Sequence, residues 1–177
     1  MNGQELSTPF TLRGDPNVAA SQADYVARFQ AAMRARELTT RLNRMVGAIG
    51  DLGGQIDGLL ESIDGKGLTN EGEIRDVAGQ AQDALATLDN EIVRPDDGMN
   101  YRDWPRLVEQ LRFVVRGIEG PQARPTEGQM EVLGEIEVAA AQRAEELSAI
   151  VNGLIAELNA LLADAPKILT EWQRTIS

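Results

Sequence analysis

The fold is decided by residues 42–63, which read LNRMVGAIGDLGGQIDGLLESI. Apolar side chains recur here at alternating steps of three and four residues, at Leu42, Met45, Ile49, Leu52, Ile56, Leu59 and Ile63. This spacing places all of them on one stripe of an α-helix. Because burial of apolar surface is favourable in water, the stripe needs a partner helix to cover it.

A second run of the same kind lies near the other end of the chain. It comprises Leu147, Val151, Leu154, Leu158 and Leu161. Aromatic residues make up only 4% of the chain, and a core of Ala, Leu, Ile and Val suits interdigitating helices better than a β-sandwich. The sequence therefore predicts an all-α protein, an elongated antiparallel bundle of long helices.

The first helix is predicted to begin near Ser21, where Ser21 and Asp24 form a capping box, and to end at about Ile63. Its first half has a less regular stripe, made of three alanines with Val26, Phe29, Met33 and Leu38. This irregularity predicts a shift in the phase of the buried face near Arg36.

Two shorter helices follow. The second is predicted to begin at Thr69 or Asn70, with Asn70 and Glu73 as a further capping pair, and to end at the break around Pro95. The third is predicted to begin at Asp103. Its apolar positions are Trp104, Leu107, Leu111, Val114 or Val115, and Ile118.

The fourth helix opens with a capping box of Thr126 and Gln129 and continues to Leu162. At 1.5 Å per residue, the first and fourth helices are each about 60 Å long, whereas the second and third are roughly 35 Å and 23 Å. Two short helices together match one long helix, so we favour three long rods, the middle one broken at Pro95. An even four-helix bundle, in which the third helix folds back, is the alternative.

The start of the chain differs from the rest. It contains a Ser/Thr-rich, strand-like stretch flanked by Leu6, Phe10 and Leu12. An isolated strand cannot satisfy its backbone, so this segment either folds onto the bundle as an extended arm or is the last strand of a missing β-domain, which we favour. We divide the chain into an arm or linker at 1–18, a helical bundle at 19–165, and a tail at 166–177 that packs on the bundle.

Glycine is frequent inside the first helix, at Gly47, Gly50, Gly53, Gly54 and Gly58. Each interior glycine costs about 1 kcal/mol relative to alanine. One explanation is that glycine allows a neighbouring helix to approach closely or leaves a flexible waist, which predicts a break near Gly53 and Gly54. The other is that these are surface glycines tolerated in a long, well-packed helix.

The composition excludes several classes of function. The chain carries 17 basic and 28 acidic residues, a net charge of −11, which repels nucleic acids and anionic membranes. No apolar run approaches the roughly 20 residues needed to cross a bilayer. Cysteine and histidine are both absent, which removes the thiolate nucleophile, the commonest general base and the usual zinc ligands. We expect no membrane span, no nucleic-acid partner, no metal and no cofactor.

No pair of carboxylates stands out as an acid–base site, so no catalytic residue is predicted. The residues best suited to contact a ligand or partner are the aromatic Tyr101, Trp104 and Trp172. The alternative interpretation is that these rings fix loops onto the core.

Three stretches resemble a known family. They are residues 7–18 (STPFTLRGDPNV), 101–111 (YRDWPRLVEQL) and 124–126 (RPT). Together they resemble the C-terminal region of bacterial sortilin-like BNR-repeat β-propeller proteins, which are labelled glycosyl hydrolases or sialidase-like. In that family an Ig-like β-domain ends in a strand and an Asp-Pro turn, and long helices close the polypeptide. The resemblance implies an exported parent protein, periplasmic or extracellular, and no catalytic residue in these helices.

We therefore expect a non-catalytic helical accessory module that mediates interdomain packing, self-association or partner docking. Its partners would be other domains of a parent chain, another protein, or a second copy of the chain. The alternative is a bundle that binds a small molecule or glycan near Tyr101 and Trp104. The accessory module predicts no deep polar pocket, whereas the binding module predicts a cavity with convergent polar groups.

Overall fold

Helices dominate the residues that the structure, a computed structural model, describes, namely 7–11, 13–95, 104–162 and 167–169. The helices are α1 Gln22–Ile63, α2 Glu71–Ile92, α3 Leu107–Glu119, α4 Glu127–Ile150 and α5 Ala156–Leu161. A π-helical turn, Val151–Ile155, joins α4 to α5 in one bent rod. No strand occurs in the described ranges, and the predicted all-α class is confirmed.

α1 buries one regular stripe. Its members are Ala31, Ala35, Leu38, Leu42, Met45, Ile49, Leu52, Ile56, Leu59 and Ile63, with Ala48 at the edge. The steps alternate between four and three residues, the heptad spacing of helices that coil around one another. The predicted phase shift near Arg36 is wrong, because the stripe continues through small alanines. The larger Val26, Phe29 and Met33 therefore lie on the exposed side of α1.

α2 and α3 lie one after the other along α1 and form the broken middle rod. Gln82 of α2 donates a hydrogen bond to Asp57 in the second half of α1 (2.6 Å). Arg28, in the first half of α1, donates through Nε to the carbonyl of Ile118 in α3 (3.1 Å). Earlier in α2, Arg75 pairs with Asp64, just after α1, at 2.7 Å. Earlier in α3, Leu111 lines a groove with Leu42 of α1. Later residues of both short helices therefore lie beside earlier residues of α1, so both run antiparallel to it, as expected for three rods rather than an even four-helix bundle.

The last rod runs parallel to α1 and antiparallel to the middle rod. Near one end, Arg34 of α1 pairs with Glu137 of α4 at 2.7 Å. Near the other end, Gln55 of α1 bonds to Leu169, beyond the end of α5. The core runs along all three rods, and no polar or charged residue in the described ranges is buried in it.

The capping boxes predicted at Ser21 and Thr126 are confirmed. The cap predicted for α2 is wrong, because the Asn70 side chain makes no hydrogen bond to its own helix. It donates instead to the carbonyl of Leu161 at 3.0 Å. That carbonyl belongs to the last turn of α5, where backbone acceptors have no partner within the helix. Asn70 therefore connects two rods.

α3 begins at Leu107, later than the predicted start at Asp103, which lies outside the described residues. Pro105 disfavours helical backbone angles at the residue before it. Glu109 accepts a hydrogen bond from the backbone N–H of Arg106 at 3.1 Å, an acidic contact that stabilises a helix start. The helix consequently begins after Arg106.

The apolar run of the last rod changes phase at the π-helical turn. Ile155 and Leu162 are buried, whereas Leu154 and Leu161, which were predicted to face the core, are half-buried. A π-helical turn contains more residues than an α-helical turn, so the residue that follows Val151 on the buried face is one position later. The predicted burial is confirmed for Leu147, Val151 and Leu158.

The five glycines inside α1 face open space. A Cβ atom placed at Gly47, Gly50, Gly53, Gly54 or Gly58 would meet no atom of another element within 4 Å. The close-approach explanation is therefore wrong for these positions. α1 also continues through Gly53 and Gly54 without a break. These residues are surface glycines in a helix whose opposite side is well packed.

The described part of the arm has no regular secondary structure. Phe10 is 82% exposed, so it does not pack on the bundle. Asp15 accepts a hydrogen bond from the backbone N–H of Asn17 at 2.8 Å and begins a turn before α1. The origin of the arm as the last strand of a missing β-domain stays a prediction. Leu6 and Leu12, which also flank the predicted strand-like stretch, lie outside the described residues.

Candidate binding groove

The aromatic residues predicted to contact a ligand or partner are only partly described. Trp104 lies in the non-helical segment before α3, and 82% of its surface is exposed. It packs into neither the core nor any of three grooves that lie between the rods. Tyr101 and Trp172 lie outside the described residues.

One groove, which we call the α1–α3 groove, lies between α1 and α3. Its volume is about 230 Å³, and it is lined by Thr39, Leu42, Asn43, Val108, Leu111, Arg112, Val115 and Arg116. Leu42 and Leu111 form its floor and are almost completely buried. Val115 is half-buried and contributes to the α3 wall. The centre of the groove is therefore apolar.

Three donor side chains on the rim of this groove have no partner in the described part of the protein. They are Asn43 on α1 and Arg112 and Arg116 on α3, all exposed. The hydroxyl of Thr39, in contrast, donates to the carbonyl of Ala35 at 2.8 Å. The α1–α3 groove thus combines an apolar floor with free donors and two positive charges.

The two rim arginines lie one helical turn apart, about 6 Å along the axis of α3. Like charges at this spacing destabilise a helix by about 0.2–0.5 kcal/mol. Arg116 gains from its place in the last turn of α3, but Arg112 has no such compensation. A neighbouring arginine, Arg36, is paired with Glu119 at 3.5 Å. Unlike Arg36, the two rim arginines have no carboxylate partner among the described residues.

The α3 wall of the groove is held in place from α1. Arg28 donates through Nε to the carbonyl of Ile118 at 3.1 Å and through Nη2 to the carbonyl of Glu119. A positive side chain on the last carbonyls of a helix stabilises its carboxyl end. With 13 residues, α3 is too short to be stable alone, so its position depends on contacts of this kind.

A shallow trough between α2 and α4 contains an acidic cluster around one arginine. Its volume is about 540 Å³, and its lining includes Asp83, Glu91, Glu146 and Arg143. Arg143 bonds to Glu91 and, at 2.6 Å, to Glu146. Two of the three carboxylates are thus engaged in ion pairs. Within the described ranges, no three side chains form a group suited to hold a metal ion.

A third groove, of about 290 Å³, lies where residues 167–169 cross α1. Two side-chain amides hold this segment. Asn159 accepts from the N–H of Ile168 (2.8 Å) and donates to its carbonyl (3.0 Å), and Gln55 does the same for Leu169 (2.8 and 3.4 Å). A carboxamide has both a donor and an acceptor, so each one satisfies a complete backbone unit. The groove is therefore already occupied in part by the chain itself.

The start of α1 is tied to the segment before α4. Arg124 donates through Nε to Asp24 at 2.9 Å, and Ser21 donates to Asp24 through its backbone N–H (2.9 Å) and its hydroxyl (2.6 Å). The Arg124 hydrogen bond, followed by the Ser21 bonds, lowers the pKa of Asp24 to about 2. These contacts join the start of α1 to the segment before α4, and their residues line none of the three grooves described above.

Comparisons with protein-family models, curated proteins and solved structures find no match to this chain. The resemblance to sortilin-like BNR-repeat proteins stays a prediction. None of the helices in the described ranges is both long and apolar enough to span a membrane.

The α1–α3 groove was not predicted from the sequence, although two signals of it are present. Val114 and Val115 are alternatives for one apolar position in the sequence, and the structure packs both. Val114 is buried in the core, and Val115 is half-buried and lines the groove. Together they widen the apolar side of α3. Arg112 and Arg116 then recur one turn apart at the edge of that side.

Proposed function

We propose that this chain is a non-catalytic helical accessory module that docks a segment of a partner protein in the α1–α3 groove. The main support is the apolar floor of the groove, with three donor side chains on its rim that bond to no described residue. Protein interfaces combine an apolar centre and a polar rim in the same way. A volume of about 230 Å³ is below the usual range of about 300–1,000 Å³ for small-molecule sites, and it suits one or two anchor side chains.

The chemistry of the side chains supports a non-catalytic role. The chain has no histidine and no cysteine, so a reaction centre would have to use carboxylates, hydroxyls or amines. In the α2–α4 trough, Glu91 and Glu146 are both bound to Arg143. The lining of the α1–α3 groove contains two arginines and no carboxylate. General acid–base catalysis by carboxylates uses two such groups in distinct environments that face one substrate. Of the trough carboxylates, Asp83 alone lies outside the ion pairs of Arg143.

The docking proposal is tested by selecting a displayed library of random helical peptides on the full chain. Two substitutions fill the groove: Val115→Trp from α3 and Asn43→Trp from the exposed side of α1. Circular dichroism checks that both variants fold. Peptides that bind the wild-type chain and neither filled variant support the proposal. If no peptide is enriched, or if every binder tolerates the filled groove, the proposal is wrong.

A matched control uses another apolar side chain of the same helix. Phe113 is 78% exposed and does not line the α1–α3 groove. Phe113→Ser should leave the affinity of the selected peptides unchanged. Loss of binding in this variant would place the docking surface on the other side of α3 and would contradict the proposal.

A sugar-binding role near Tyr101 and Trp104 is the second proposal. It rests on the exposure of the Trp104 indole, 82%, because an exposed aromatic face offers a surface on which a ligand ring can pack. A thermal-shift screen against sugars, repeated with Trp104→Ala, tests it. A saturable shift that the substitution abolishes would favour this role over docking, and no shift with any sugar would argue against it.

A further inference from the structure

We infer that the segment docked in the α1–α3 groove is an acidic amphipathic helix whose carboxylates pair with Arg112 and Arg116. This inference rests on the proposed docking function and adds the charge and conformation of the partner.

The charge of the α1–α3 groove differs from that of the chain as a whole. The chain has 28 acidic and 17 basic residues, yet the lining of this groove contains two arginines and no acidic residue. Neither guanidinium group bonds to a described residue. The net negative charge of the chain is screened beyond about 8 Å at physiological ionic strength. Within the groove, the local positive charge therefore favours an anionic partner.

The spacing of the two rim arginines matches that of acidic residues on a helix. Arg112 and Arg116 lie about 6 Å apart along α3, the same distance that separates two glutamates four residues apart on a partner helix. From Val108 to Arg116 the α3 wall extends about 12 Å, or roughly two helical turns. Two turns of an amphipathic helix present two or three apolar anchors to such a floor. The dimensions of the groove thus match a short helical segment.

The α1–α3 groove offers few hydrogen-bonding groups to the backbone of a bound segment. An extended partner segment would require donors and acceptors along the groove for its own N–H and C=O groups. Both walls are helices, whose backbone groups are already bonded internally. Among the described residues that line the groove, Asn43 alone has a side-chain amide. A helical partner satisfies its own backbone and needs only side-chain contacts, so the groove favours a helix.

The experiment starts from the tightest groove-binding peptide of the selection on the full chain. Three versions are compared: the peptide as selected, one with its acidic residues replaced by amides, and one with them replaced by lysine. Fluorescence anisotropy measures each affinity, and amide chemical shifts at Thr39, Asn43 and Val115 report the place of binding. We expect the amide version to bind about tenfold more weakly, since two exposed charge pairs are lost, and the lysine version more weakly still.

The reciprocal change is made on the protein. In the double variant Arg112→Glu/Arg116→Glu, the lysine peptide should bind more tightly than the acidic one, so that the order of affinities is reversed. Arg41→Glu is the matched control, because Arg41 is an exposed arginine of α1 that does not line the groove. It should leave the order unchanged.

The outcomes separate the two proposals. If the groove-binding peptides contain no acidic residues, or if all three versions bind equally, the partner is not acidic, although docking itself stands. If no peptide perturbs the groove amides, both proposals are wrong. Saturable binding of octanoate at these amides, with no peptide bound, would assign the groove to a small anionic amphiphile and would overturn both.

Discussion

Gln55 and Leu169 are joined by two opposed hydrogen bonds: the Leu169 N–H donates to Gln55 Oε1 at 2.8 Å, and Gln55 Nε2 donates to the Leu169 carbonyl at 3.4 Å. Asn159 makes the same pair of bonds with Ile168. Ile168 is buried in the core. A segment without regular secondary structure is thus bonded to two of the three rods.

Replacing both amides should release this segment. In Gln55→Ala/Asn159→Ala, the lost hydrogen bonds should lower the free energy of unfolding by about 2–4 kcal/mol, at about 1 kcal/mol per bond and less for the long one. Urea unfolding measures this loss. Trypsin should also cleave faster after Lys167, as followed by mass spectrometry. Gln80→Ala, at an exposed glutamine of α2, is the control, and equal cleavage rates in all three proteins would show that the amides do not hold the segment.

Alanine should stabilise α1 at its exposed glycines. Gly50→Ala and Gly54→Ala each place a methyl group in open space, and each should raise the free energy of unfolding by about 0.5–1 kcal/mol. Gly65→Ala should have the opposite effect, because Gly65 has a φ of 70° that costs an alanine about 1–2 kcal/mol. Urea unfolding distinguishes the two cases. A loss of stability at Gly50 would mean that the helix requires glycine there.

Two substitutions at neighbouring residues test which side of the last rod is buried. Ile155 is fully buried and Leu154 is only half-buried. Ile155→Ala should therefore cost about 2–5 kcal/mol of stability, and Leu154→Ala clearly less. The comparison uses thermal unfolding of both variants. If the two losses were equal or reversed, the π-helical turn would not set the buried face.

The contribution of Asp24 to stability should depend on pH. Its pKa in the folded protein is about 2, below the ordinary value of 3.8, so its charged form stabilises the native state. This contribution is fully present above about pH 4 and is lost as the pH falls through about 2. Asp24→Asn should thus be less stable than the wild type at neutral pH, with the difference vanishing in strong acid.

Urea unfolding at neutral and acidic pH measures this difference. Asp51→Asn is the matched control, because Asp51 is an exposed aspartate of the same helix whose carboxylate makes no hydrogen bond or ion pair with a described residue. A pH-independent difference between Asp24→Asn and the wild type would contradict the assignment.

The spacing of apolar residues was sufficient to predict which side of the second half of α1 is buried. Every apolar residue predicted to lie on its stripe, from Leu42 to Ile63, is buried, since a heptad repeat defines one side of a helix whatever its partner is. The first half shows the limit of this reasoning. Phe29 is more apolar than Ala31 and Ala35, but the packed side is the one that continues the stripe. Size and hydropathy alone pointed to the wrong side.

Contacts between distant residues could not be predicted in this way. Asn70 matches a local capping motif, but its side chain bonds to Leu161 in another rod. The α1–α3 groove likewise combines Leu42 with Val115, which come together only after α3 packs on α1. Such arrangements depend on how the rods are stacked, which periodicity does not determine.

Because Arg28 caps the end of α3, the α1–α3 groove cannot be transferred to another protein as α3 alone. A free peptide with the sequence of α3 would lack both the guanidinium on its final carbonyls and the opposite wall that Leu42 and Asn43 supply. It should be largely unfolded in water. Grafting onto a foreign scaffold would therefore have to include the facing length of α1, from Arg28 to Asn43, together with the short helix.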